Sequence, residues 1–191
     1  MRIYGMQNVE LGIILKTDKS KEYDVVCKIL TPKSLKTAYA IGVLKPTAKL
    51  KNAVQLFSIC EFTFAGHKIT GANVVQSPMP IAKCMNRYYL ASSIAEVILQ
   101  IQNHDAEIFT ITARALEALT GDTSAYIIFI DYFKKLLFSL GYSVDIQNVD
   151  GNLTLSTAKE YIKQLIACYK TLLDIVIPNT DLFLSSPANP L

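Results

Sequence analysis

Gly12-Ile-Ile-Leu-Lys-Thr, Glu22-Tyr-Asp-Val-Val-Cys-Lys-Ile-Leu-Thr-Pro, Lys36-Thr-Ala-Tyr-Ala-Ile-Gly-Val and Gln55-Leu-Phe-Ser-Ile-Cys-Glu-Phe-Thr-Phe follow one another between residues 12 and 64. Each is a short apolar run of strand length, and lysines crowd the connections between them. Alternation with period two predicts strands over Leu11–Lys16, Asp24–Leu30, Lys36–Val43 and Leu56–Phe64. Leu11, Ile13 and Leu15 share one face of the first strand. Val25, Cys27 and Ile29 alternate with Asp24, Val26 and Lys28 in the second. In the third, Thr37, Tyr39, Ile41 and Val43 oppose Lys36, Ala38, Ala40 and Gly42, a side small enough to leave the backbone open to close approach. Gly66-His67 turns the chain into a fifth strand, Lys68–Gln76.

Five strands with a polar, Pro-interrupted excursion between the third and fourth are the pattern of an OB-fold barrel. That excursion, Leu44-Lys-Pro-Thr-Ala-Lys-Leu-Lys-Asn, has room for a short turn of helix after Pro46.

Working outward, the chain changes in kind. Ser77-Pro-Met-Pro interrupts both periodicities. Beyond it, helical spacing predicts helices over Ile81–Gln102, Asp105–Leu119 and Ser124–Leu140. A fourth opens at a Thr157-x-x-Glu160 capping box and runs to Ile177. The first has a narrow polar stripe of Asn86, Tyr89, Ser93, Glu96, Gln100 and Asn103. Asp150-Gly151 suggests a minimal hairpin within 144–156. The expected class is therefore α+β and multidomain, a five-stranded OB-fold β-barrel followed by an all-α helical domain. The divisions are 1–76 barrel, 77–80 linker, 81–178 helical domain and 179–191 mobile tail, whose Leu182-Phe-Leu could dock on the bundle or on a partner.

Charge sorts the two parts. Of the 191 residues, positions 1–90 hold 13 Lys/Arg against 5 Asp/Glu, and positions 91–191 hold 6 against 11. A basic first part joined to an acidic second points the first toward a polyanion. Lysines 16, 19, 21, 28, 33, 36, 45, 49 and 51 carry most of that surplus. Phosphate binding needs several cations along one backbone track. Tyr23 and Tyr39 offer ring faces on which bases can stack. The residues singled out for DNA contact are Lys16, Lys19, Lys21, Lys33, Lys36, Tyr39, Lys45, Lys49 and Lys51.

Other chemistries are excluded by what is missing. No phosphate-cradling glycine loop, nucleophile elbow or His-x-x-x-His is present. His67 and His104 read as a turn residue and a helix-start residue. Cys27, Cys60, Cys84 and Cys168 lack metal-ligand spacing, so neither a metal nor a cofactor is expected. Thiols placed among apolar residues fit a reduced, cytoplasmic protein.

The ordered series of motifs resembles the RecO family of bacterial recombination mediators. It runs through Gly12-Ile-Ile-Leu-Lys-Thr, Glu22-Tyr-Asp, Ile29-Leu-Thr-Pro, Gly42-Val-Leu-Lys-Pro with Lys49-Leu-Lys, Gln55-Leu-Phe-Ser-Ile-Cys-Glu-Phe and Asn86-Arg-Tyr-Tyr-Leu-Ala-Ser. It ends at Phe133-Lys-Lys-Leu-Leu-Phe-Ser-Leu-Gly-Tyr. The resemblance implies a DNA-binding OB-fold, annealing of complementary strands and no enzymatic activity. It implies help in loading recombinase on coated single strands, and RecR, SSB and the recombinase RecA as partners. The chain departs from the family pattern at Leu44, where a cation is usual, and after Tyr142, where a four-cysteine zinc module is common and no cysteine occurs. It thus resembles a short form without zinc. The alternative is a protein-interaction scaffold whose barrel is structural and touches no DNA.

Overall fold

The computed structural model describes residues 8–144 and 154–186. The hairpin expected around Asp150-Gly151 lies outside the described residues. The chain groups into two compact units. One takes in residues 1–79 with 103–109, and the other 80–102 with 110–191.

In the first unit, β1 (Asn8–Lys19), β2 (Val25–Leu30), β3 (Leu35–Ala40), β4 (Ile59–Ala65) and β5 (Lys68–Gln76) close a barrel in the order β1-β2-β3-β5-β4. All neighbours are antiparallel except β3 and β5, whose parallel contact at Tyr39 and Lys68 completes the ring. This is the expected OB-fold, with β1 longer at both ends than its apolar run.

The interior is packed by Ile14, Val25, Cys27, Ile29, Ala38, Ala40, Cys60, Phe62, Phe64 and Ile69. Two register details differ from simple alternation. A bulge between Ile14 and Lys16 sets the inward position of β1 at Ile14. On β3 the small side faces inward: Ala38 and Ala40 make room for the Phe62 and Phe64 rings, while Tyr39 points outward. The backbone there is approached by core side chains. No ligand is needed to explain the small residues.

Gly12 belongs to the same inner layer. A Cβ placed on it would lie 2.6 Å from Ile29 Cγ2 and 3.1 Å from Phe62 Cδ2. β4 begins three residues later than its apolar run, because Phe57 takes a left-handed conformation, φ 67°. Its N–H then donates to the Ile14 carbonyl at 2.8 Å. The excursion from residue 41 to 58 forms successive tight turns, and Leu50, Ala53, Val54 and Leu56 pack onto the barrel core.

The second unit is helical. The expected single helix from Ile81 is divided into α1 (Met79–Ala82) and α2 (Met85–Gln100), because Cys84 is extended, φ −124° and ψ 117°. α3 (Ala106–Ala118), whose residues 106–109 group with the first unit, and α4 (Ala125–Ser139) fall close to expectation. α5 (Leu155–Leu173) opens earlier than its predicted box. Thr154 is the cap, accepting from the Thr157 N–H at 3.2 Å, and left-handed Asp174 ends the helix before Pro178.

The segment expected as a mobile tail begins instead with a seven-residue helix, α6 (Asn179–Ser185). Its Phe183 ring stacks on Phe129 at 5.4 Å and is fully buried. The polar stripe of α2 is what receives it. Glu96 accepts from the backbone N–H of Asn179 at 3.1 Å and from its side-chain amide at 2.5 Å. Ser93 and Thr180 share a hydrogen bond at 3.4 Å, and the Ser186 hydroxyl donates to Asn86. Among the described residues no helix is long and apolar enough to cross a membrane.

Candidate nucleic-acid interface

The basic residues of the barrel divide into three places. At one end, the β1–β2 loop and the start of the β3–β4 connection are laced together. Asp24 is the centre: its carbonyl accepts from Ser20 at 2.9 Å, and its Oδ1 accepts from the Gly42 N–H at 2.7 Å. Gly42 can present that N–H because it is free to adopt φ 67°. Leu44 then donates to the Tyr23 carbonyl at 3.0 Å.

This lacing brings Lys45 over the Tyr23 ring, Nζ 5.7 Å from the centroid. Lys21 stands in the same loop, and Lys19 ends β1 beside it. A hydrogen bond with the Glu22 side chain raises the Tyr23 phenol above its ordinary value. Lys49 and Lys51 follow on the exposed side of the connection, whose apolar side plugs the barrel.

The second place is the outer face of β1, β2 and β3. Lys16 stands opposite Lys28, and Lys28 opposite Thr37. The next row holds Asp18, Val26 and Tyr39, and Tyr39 meets Lys68 on β5. The Tyr39 side is 44% exposed, and its backbone N–H donates to the His67 carbonyl at 2.8 Å, fixing the β4–β5 turn against β3.

The third place is the far end of β2 and β3. Here Lys36 pairs with Glu10, and Lys33 lies 4.0 Å from the same carboxylate. Glu10 is only 10% exposed, so its charge is held by these two lysines. Lys33 and Lys36 are thereby separated from the other predicted contacts and partly neutralised.

Of the remaining predicted lysines, Lys16 has Asp18 at 3.2 Å, and both side chains are more than half exposed. Lys19, Lys21, Lys45, Lys49 and Lys51 have no carboxylate within 4.0 Å among the described residues, and the same holds for Lys28 and Lys68. Lys28, Lys68 and Tyr23 were not singled out for DNA contact from the sequence. Alternation alone marks Lys28 as outward, because Cys27 and Ile29 beside it face the core. Lys68 needed the β3–β5 pairing, which no local pattern reveals.

The surface can hold a polyanion at one end and along one side. It shows no nucleophile set beside a base among the described residues. Among the described residues no cluster of three His, Cys, Asp or Glu side chains could hold a metal ion.

Residues 6–77 match the family model described as Recombination protein O N terminal. No curated protein matches the chain. The family match begins just before β1 and ends just after β5, so it spans the closed barrel and all three basic places. The barrel is thus similar over its whole length to the N-terminal domain of recombination protein O, a likeness confined to residues 6–77 that supports a role in DNA repair and recombination.

Proposed function

We propose that the chain is a non-enzymatic recombination mediator that holds single- and double-stranded DNA on the laced end and outer face of its barrel. It anneals complementary strands and helps load the recombinase RecA onto strands coated by SSB, with RecR as a further partner, in the cytoplasm. The observation that carries this reading is the grouping of Lys21, Tyr23 and Lys45 by the Asp24–Gly42 lacing, with Lys49 and Lys51 beyond and none of these four lysines in an ion pair among the described residues. Cations so placed release counterions when phosphates replace them.

The test is affinity for a single-stranded oligonucleotide across a salt series, with and without a peptide of the SSB tail. Binding should weaken steeply with salt. Replacing Lys45, Lys49 and Lys51 together by Glu should remove about two units from the log–log slope, at roughly 0.7 per phosphate contact on a single strand. A flat salt response in the folded wild type would overturn the reading.

A second reading, a protein-interaction scaffold, draws on α4, where Phe138 is 73% exposed. A stable protein partner retained by a chain that binds no DNA at low salt would favour it.

A further inference from the structure

Lys16 and Lys28 stand directly opposite each other on neighbouring strands. Like charges so placed destabilise a sheet. Asp18 offsets Lys16 at 3.2 Å, but the Lys28 ammonium instead donates to the neutral Thr37 hydroxyl at 2.8 Å. That bond holds Lys28 on the outer face, diagonal to Tyr39, at a spacing of about 7–8 Å between Cα atoms. On its other side Tyr39 is the direct partner of Lys68. Val26 lies beside the ring on β2, and Ile41, 56% exposed, follows it in the chain. The result is an aromatic and apolar floor with a cation on either side.

Such a floor suits a strand whose bases are free. In a duplex the base faces are stacked inside and the phosphates are outermost, so a tyrosine on a barrel wall meets only backbone. In an unpaired strand a base can lie on the ring while the adjoining phosphates reach the flanking cations. We infer that Tyr39 is a base-stacking residue that gives this barrel a preference for unpaired DNA over duplex, with Lys28 and Lys68 taking the phosphates on either side. This rests on the reading of the barrel as a DNA-binding unit.

The experiment compares oligo-deoxythymidylate with a duplex of equal length on the full chain and on Tyr39→Ala, Tyr39→Phe and Tyr39→Leu. The fold tolerates these changes, because the contact of Tyr39 with His67 is made by its backbone. Tyr39→Ala and Tyr39→Leu should lose roughly tenfold for the unpaired strand and less than about twofold for the duplex, while Tyr39→Phe keeps both, as loss of one stacked base predicts. Lys28→Gln should weaken both ligands and flatten their salt dependence.

Equal losses on both ligands, or full affinity in Tyr39→Leu, would overturn the assignment while leaving DNA binding by the barrel intact. Failure of the wild-type chain to bind either ligand would overturn both.

Discussion

The Lys36 ammonium pairs with the Glu10 carboxylate at one mouth of the barrel, and the same ammonium lies 5.2 Å from the centroid of the Phe64 ring. Lys36 is thus a structural cation. Lys36→Ala should cost about 1–3 kcal/mol, the penalty of leaving a largely buried charged acceptor short of its partner, with Lys33 limiting the loss. Its effect on the salt dependence of DNA binding should be negligible, whereas Lys45→Ala should lower the slope by about 0.7. Thermal melting and a salt titration on the two variants separate the roles.

The crowding at Gly12 makes a sharper test of the barrel. Gly12→Ala drives a methyl to within 2.6 Å of Ile29 Cγ2, against the fully buried side chains of Ile29 and Phe62. Overpacking of this kind costs about 1–3 kcal/mol. Ile29→Ala removes that Cγ2, so in a double-mutant cycle read by denaturant melts Gly12→Ala should cost less in the Ile29→Ala background than in the wild type. An equal cost in both backgrounds would contradict the packing described.

Phe183 should behave as a core residue of the helical unit. Its ring lies 4.9 Å from that of Tyr126 and 5.4 Å from that of Phe129. Phe183→Ala should cost about 3–5 kcal/mol and release α6 to proteolysis. Limited digestion followed by mass mapping reads the release directly, and an unchanged pattern at 175–186 would refute it.

The barrel thiols predict a pH dependence. Burial pushes Cys27 up to about 12 from an ordinary 9.0. It pushes Cys60 up to about 11, a backbone hydrogen bond with Val75 opposing the rise. A folded-state value above the unfolded one means the contribution to stability is whole below pH 9 and is lost as pH climbs through 11 and 12. Melting followed from pH 7 upward should therefore fall above pH 9, and less so in Cys27→Ala, once each variant is compared with its own value at neutral pH. At pH 8 an alkylating reagent should modify half-buried Cys84 and Cys168 before either barrel thiol.

Much of the barrel was legible in the sequence, because a half-buried strand must alternate. The face of β3 that turns inward was not. Tyr39 and Ile41 share an alternating face with Val43 yet are exposed, while Val43, past the end of β3, joins Ala38 and Ala40 in the core with Phe62 and Phe64. The stripe on α2 was visible as a period, but its role depends on Asn179 and Thr180, some 80 residues onward. Likewise the lysine surplus could be counted, while the pairing of Lys36 depends on Glu10, 26 residues before it. Local patterns carry period and charge. They do not carry the long-range pairings that decide which face is used.

The seam between α2 and α6 also sets an order of events in synthesis. The strands of the barrel are complete by Gln76, so this part can close while the rest of the chain is still being made. Asn86 must wait for Ser186, 100 positions later, before its buried amide finds that partner. In synthesis every strand of the basic barrel is therefore made before the α2–α6 seam can form.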